Sequence, residues 1–106
     1  MGKMKTVNNY YFYNVLDVIR NELIGNEYHF FFDVNDNDIT IFYKHESLDD
    51  SPKWKIVLTP DMFVGTPMKI YTKIFNTVVD NVINHGICSD VIDREKYINK
   101  LLTLEV

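Results

Sequence analysis

The spacing of the hydrophobic residues changes along the chain, and the first pattern is helical. Between Asn9 and Ile24 hydrophobic side chains recur every three or four residues, which places them on one face of a helix. The residues on this face are Phe12, Leu16, Ile19 and Leu23. Asn8 or Asn9 suits the start as a capping residue, and Gly25 suits the end, where a left-handed residue is common. The segment therefore predicts an amphipathic helix.

A strand pattern follows, rich in aromatic and β-branched residues. Residues 28–34 and 39–44 flank a cluster of Asn and Asp, which is typical of a β-hairpin. A four-residue turn would pair Val34 with Ile39, Phe32 with Ile41, Phe31 with Phe42 and Phe30 with Tyr43. A third strand is predicted over residues 54–59, and Pro60 ends it because proline has no N–H to donate.

Two helices are predicted after the strands. Thr66 followed by Pro67 is typical of a helix start, because the hydroxyl caps the helix and proline is accepted at its first position. This helix is expected to end near His85 and Gly86. Its broad apolar face comprises Ile70, Tyr71, Ile74, Phe75, Val78, Val79, Val82 and Ile83. The last helix is predicted over residues 90–102, and its inward residues are expected to be Val91, Ile98, Leu101 and Leu102.

The predicted fold class is α+β. The element order is α-β-β-β-α-α, a three-stranded antiparallel meander packed with helices, because an apolar sheet face has to be covered. The 106 residues suit a single domain spanning 1–106. We expect residues 1–7 to be a flexible or non-native extension of that domain.

Alternation makes the two faces of the predicted sheet different. The core face carries Phe30, Phe32, Ile39, Ile41, Trp54, Ile56 and Leu58. The opposite face has an apolar stripe of Phe31, Phe42 and Val57 among polar residues. An exposed stripe with a polar rim is typical of a partner surface. Three interpretations stay open: a helix covers the stripe, a second copy of the chain binds it as a homodimer, or a foreign partner binds it.

The charge is unevenly distributed along the chain. The net charge is −4, but residues 17–50 contain nine acidic residues and only two basic ones, Arg20 and Lys44. A negative potential attracts cationic protein surfaces and repels phosphates. The candidate contact residues in the hairpin and the following loop are Asp33, Asp36, Asp38, Glu46, Asp49 and Asp50. Ordinary solubilising charge on loops is the alternative interpretation.

Sequence motifs for catalysis and metal binding are missing. The chain has no glycine-rich phosphate loop, no His-Glu-x-x-His and no Gly-x-Ser-x-Gly, so we expect neither an enzyme nor a cofactor. His85 and Cys88 would supply two zinc ligands where a structural site needs four. Residues 33–37 imitate the opening of a calcium loop, but Asp38 and Lys44 replace its required Gly and Glu. We therefore expect no metal site.

Cys88 is the only cysteine of the chain, so an internal disulfide is excluded. A reducing, cytoplasmic location is the simplest interpretation. No apolar run approaches the ~20 residues of a membrane span, and we expect no membrane partner.

The predicted order of helix, three strands and helix resembles that of double-stranded-RNA-binding domains, in element order alone. Those domains present a lysine cluster at the start of the helix after the sheet, where this chain has Lys69 and Lys73. With a net charge of −4, the attraction to phosphates that drives such binding is missing. We therefore expect no nucleic-acid partner.

Composition bears on the origin of the chain and, through it, on function. Ala is absent, whereas Asn and Ile occur 11 times each, which indicates an AT-rich genome such as that of a phage or mobile element. We expect a small, acidic, non-catalytic interaction protein that binds a basic surface of a host protein, one that handles nucleic acid, as an inhibitor or adaptor. The alternatives are a homo-oligomeric structural or accessory subunit and, less favoured, a small enzyme with a dispersed site.

Overall fold

Helices and strands follow one another in the predicted order. The computed structural model describes residues 9–25, 28–34, 38–45, 54–88 and 91–104. Within these residues the chain forms three α-helices and a three-stranded antiparallel sheet, which confirms the α+β class. The extension expected over residues 1–7 lies outside the described residues.

Helix α1 spans Asn9–Ile19 and continues as a π-helical turn, Arg20–Ile24. Gly25 follows with a φ of +87°, and its N–H donates to the Arg20 carbonyl at 2.8 Å. The predicted extent is confirmed, although the last turn is wider than an α-helical one. The buried side chains of α1 are Phe12, Val15, Leu16, Val18 and Ile19. This face is broader than predicted because α1 packs against both the sheet and the other helices.

The sheet is a meander in the order β1-β2-β3, with Tyr28–Val34 as β1, Ile39–His45 as β2 and Trp54–Leu58 as β3. The β1–β2 register is the predicted one, including Val34 opposite Ile39. Strand β3 pairs antiparallel with β2. Because paired residues share a face and successive residues alternate, this register assigns each side chain to one of two faces.

The inner face of the sheet consists of Phe30, Phe32, Ile39, Ile41, Tyr43, Ile56 and Leu58. The β2 and β3 members are buried, whereas Phe30 and Phe32 on β1 are half-buried. Tyr43 was not expected in the core, yet it continues the inward alternation and is fully buried. The side chain of Trp54, also predicted for this face, lies outside the described part.

A short 3₁₀ helix, Pro60–Phe63, leads from β3 to helix α2, Pro67–Asn84. The predicted start is confirmed, because the Thr66 hydroxyl accepts a hydrogen bond from the Lys69 N–H at 3.3 Å. The predicted end is also confirmed, since α2 stops just before His85. Its predicted apolar face is buried except for Ile83, which is half-buried.

Helix α3 spans Arg94–Thr103, so the prediction that the last helix starts near residue 90 was wrong. Asp93 is the cap, because its carboxylate accepts a hydrogen bond from the Lys96 N–H at 3.2 Å. Val91, expected to point inward, precedes this cap and is 85% exposed. Ile98 and Leu101 are buried as predicted.

The three helices contact one another, and α2 also contacts β3. Helix α1 reaches the inner face through the rings of Phe12 and Phe32, whose centroids are 5.0 Å apart. Asn14 of α1 donates to the Tyr71 hydroxyl of α2 at 3.0 Å. The packing contacts of the helices with the sheet thus involve its inner face.

Candidate functional site

The outer face of the sheet is the surface on which the predicted apolar stripe lies. It is formed by His29, Phe31, Asp33, Thr40, Phe42, Lys44, Lys55 and Val57. These residues alternate with the buried inner set along each strand, so the pleat of the strands directs them away from the helices. None of the three strands supplies a buried side chain to this face.

The centre of the outer face is aromatic and exposed. Phe31 and Phe42 are direct cross-strand partners. Val57 lies opposite Thr40, so it is a diagonal neighbour of Phe42. Phe31 is 50% exposed and Val57 43% exposed, which shows that no helix of the described chain covers them. Of the three interpretations left open for the stripe, coverage by one of the helices that the structure describes is thereby excluded.

One end of the outer face carries the acidic residues that the structure describes. Asp33 is exposed and lies opposite Thr40, next to the β1–β2 turn. Asp38 is half-buried and directly precedes β2, at the same end of the hairpin. Two of the six candidate acidic residues therefore lie at the turn end of the hairpin, where Thr40 separates Asp33 from Val57 on the outer face. The other four, Asp36, Glu46, Asp49 and Asp50, lie outside the described residues.

The opposite end of the outer face is basic. The excess of acidic residues in 17–50 did not predict this. Lys44 lies opposite His29, and Lys55 lies opposite Phe42. The Lys44 Nζ is 5.8 Å from the centroid of the Phe31 ring, within the range of a cation–π contact. The face therefore runs from acidic through aromatic to basic. The alternation of the sequence already contained this signal, since it assigned both lysines to this face.

One acidic residue of the 17–50 segment is neutralised from the C-terminal helix. The Lys100 Nζ of α3 is 2.6 Å from the Glu22 carboxylate. The hydrogen bond from Lys100, and then its charge, lower the pKa of Glu22. Glu22 is not one of the six candidate contact residues. Because Lys100 neutralises it, its charge adds little to the negative potential at the acidic end.

His85 and Cys88, considered in sequence as two zinc ligands, lie after the end of α2. The His85 Nδ1 is 2.8 Å from the Asn81 carbonyl, a contact with the last turn of the helix. Cys88 is half-buried, and burial raises the pKa of its thiol. Within the part of the chain that the structure describes, no three His, Cys, Asp or Glu side chains are grouped to hold a metal ion.

Among the described segments, no helix combines the length and apolarity needed to cross a bilayer. Comparison with protein-family models, with curated proteins and with solved structures found no match. The chemistry of the chain's own surfaces is therefore what indicates its function.

Proposed function

We propose that this chain is a non-catalytic interaction protein that binds a cationic protein partner through the outer face of its sheet. The observation that carries the proposal is the uncovered aromatic centre, in which Phe31 is half exposed beside Phe42. An exposed apolar centre with a charged rim has the composition of a protein-binding surface.

The charge of the hairpin end supports a cationic partner. Asp33 is exposed at that end and Asp38 lies beside it, within a segment of nine acidic and two basic residues. Such a field accelerates the encounter with a basic surface, while the aromatic contact governs how long the complex lasts. The proposed partner is a host protein that handles nucleic acid, because such proteins carry large basic surfaces. In this role the chain would act as an inhibitor or adaptor.

The test compares two substitutions that change the net charge equally. A basic protein captured by the full chain from a host lysate is purified, and its association rate is measured by surface plasmon resonance at low and high salt. Asp33→Lys is expected to slow association several-fold at low salt, because it reverses a charge beside the contact. Glu95→Lys, on exposed α3 surface, is the matched control and is expected to change little.

The contribution of the aromatic centre is tested by surface plasmon resonance with the same partner. Phe31→Ser is expected to speed dissociation while leaving the association rate nearly unchanged. Association rates that are independent of salt, or equal for Asp33→Lys and Glu95→Lys, would contradict a charge-led contact. If Phe31→Ser leaves the dissociation rate unchanged, the contact lies elsewhere on the molecule.

Self-association is the second candidate, and the arrangement of charges on the outer face favours it. Asp33 lies at one end of the face and Lys44 at the other, with Phe31, Phe42 and Lys55 in the row between them. A second copy turned by a twofold axis that runs across the strands through the aromatic centre would place the acidic end of each copy on the basic end of the other. Sedimentation velocity decides the matter, because a monomer at all concentrations rules out this homodimer.

A further inference from the structure

A cavity at the free edge of the sheet borders the proposed docking contact, because Phe31 also lines it. It has a volume of about 200 Å³ and lies between helix α1 and strand β1. Its walls include Tyr13, Leu16, Asp17, Arg20, His29 and Phe30. Charged, aromatic and aliphatic groups therefore converge on a space that the fold itself leaves open.

Arg20 is the unusual group in this wall. It is half-buried, and its Nε is buried without a hydrogen-bond partner among the described residues. The ion pairs of Arg94 with Asp80 and of Lys100 with Glu22 do not involve Arg20. Burial of a charged donor without an acceptor is costly, and such a group is a candidate ligand contact.

The other arginine of the chain shows what a structural arginine looks like in this fold. Arg94 donates from its two terminal nitrogens to the Asn76 and Asp80 side chains of α2, both at 2.8 Å. Its guanidinium thus ties α3 to α2. Arg20 makes no comparable bond within the described residues, although the two side chains are chemically identical.

The backbone at Arg20 is also irregular. Arg20 is the first residue of the π-helical turn, and its carbonyl accepts from the N–H of Gly25, five residues later. π turns are rare and often occur at functional sites, where the inserted residue redirects a side chain. The turn therefore coincides with the residue whose guanidinium lines the cavity.

The geometry points to a binding site for a monovalent carboxylate with a small apolar body. A guanidinium can donate from its two terminal nitrogens to both oxygens of a carboxylate. Leu16 and Phe30 offer apolar contact to the rest of the ligand. Asp17 in the same wall and the net charge of −4 disfavour a doubly charged phosphate.

The size of the cavity limits the ligand further. Clefts for drug-sized ligands measure roughly 300–1,000 Å³, so a space of about 200 Å³ suits a molecule the size of benzoate and excludes nucleotides. The carboxylate belongs either to a free small molecule or to the C-terminus of a peptide ending in an apolar residue. Both sources present the same chemistry to Arg20.

The test uses the full chain labelled with ¹⁵N and follows the amide signals of residues 13–20 and 28–31. Sodium benzoate is expected to shift these signals saturably, whereas benzamide, its neutral isostere, leaves them unchanged. Arg20→Met and Arg20→Lys are expected to weaken benzoate binding at least about tenfold, because the first removes the donors and the second removes the planar fork. Lys96→Gln, a charge removed from exposed α3 surface, is the matched control and should bind like the wild type.

A peptide ending in phenylalanine, as free acid and as amide, separates the two sources. If the wild type binds the acid form of the peptide but neither the amide nor benzoate, and Arg20→Met loses this binding, the site is assigned to a peptide terminus. Benzoate binding lost in Arg20→Met assigns it to a free small carboxylate. Tighter binding of phenyl phosphate than of benzoate overturns the choice of a carboxylate, and a failure of every anion to shift the signals overturns the site.

A stability measurement excludes a purely structural role for Arg20. Removing an unsatisfied buried donor should maintain or raise the melting temperature of Arg20→Met while benzoate binding is lost. A lowered melting temperature together with unchanged benzoate binding would show that Arg20 serves the fold and would overturn the proposal. Asp33 does not line the cavity, so Asp33→Lys should leave benzoate binding intact and separates this proposal from the charge-led contact.

Discussion

At the scale of single residues, the burial of Tyr43 has a consequence that is measurable by pH. Tyr43 lies in the middle strand with no exposed surface. Burial is the main cause that raises the pKa of its phenol above the ordinary value of 10.0, and the neighbouring Tyr28 adds to the effect. The folded protein therefore keeps this proton at pH values where the unfolded chain has released it.

The sign of the pH dependence follows from this difference. Above about pH 10 the unfolded state binds fewer protons than the folded state, so the free energy of unfolding falls as the pH rises, by at most about 1.4 kcal/mol per pH unit for this group. Tyr43→Phe should make that fall less steep while leaving the pH dependence below pH 9 unchanged. Urea unfolding at several pH values between about 8 and 11 measures this fall in the free energy of unfolding for both proteins. Parallel curves for Tyr43→Phe and wild type would contradict the assignment.

At the scale of elements, the end of α2 shows how a local signal ends a helix. Gly86 has a φ of +74°, a conformation that costs little only for glycine. The N–H groups of Gly86 and Ile87 donate to the carbonyls of Ile83 and Val82 at 2.9 and 3.0 Å. This is the Schellman arrangement, and it satisfies carbonyls that the helix leaves without partners.

Substitution of Gly86 separates backbone strain from crowding. A methyl group at Gly86 would meet no atom within 4 Å, so Gly86→Ala should destabilise through its backbone alone, by about 1–2 kcal/mol. Gly86→Asn should cost less, because asparagine tolerates the left-handed region better. Urea unfolding of both variants tests this, and equal losses for Ala and Asn would argue against the backbone explanation.

At the scale of the whole molecule, the helices pack on one side of the sheet and leave the other side exposed. This arrangement makes the outer face available and gives it an acidic end, an aromatic centre and a basic end. The two candidate functions use the basic end in opposite ways. A homodimer requires the basic end, whereas a cationic partner is repelled by the basic end.

Lys55→Glu distinguishes these functions, because Lys55 is exposed and lies opposite Phe42. It should speed association with a cationic partner several-fold and leave a homodimer nearly unchanged, since a twofold axis along the row of Phe31, Phe42 and Lys55 sets this residue against its own copy. Stability should change by less than about 0.5 kcal/mol, as is usual for exposed sites. Association rates and sedimentation equilibrium measure the two effects. Slower binding to the cationic partner would contradict the first assignment, and loss of the homodimer would contradict the second.

Most of the fold, but less of the candidate site, was predictable from the sequence. The extent of α1, the hairpin register and the start of α2 were predicted because each depends on residues within about one or two turns of chain. The start of α3 was missed because the Asp93 cap competes with a weaker signal at residue 90. The contrast between Arg20 and Arg94 could not be predicted, because it depends on which side chains of other elements come within reach.

The sequence alone determined which residues form each helix and strand and which face each strand residue occupies. Periodicity is a local property, and a period of two assigns Phe31 and Phe32 to opposite faces wherever the sheet is placed. Only the tertiary structure decided that the outer face stays uncovered, that Lys100 neutralises Glu22 and that Arg20 lines a cavity without a partner. These outcomes depend on distances between residues far apart in the chain, and such distances are set by how the elements pack.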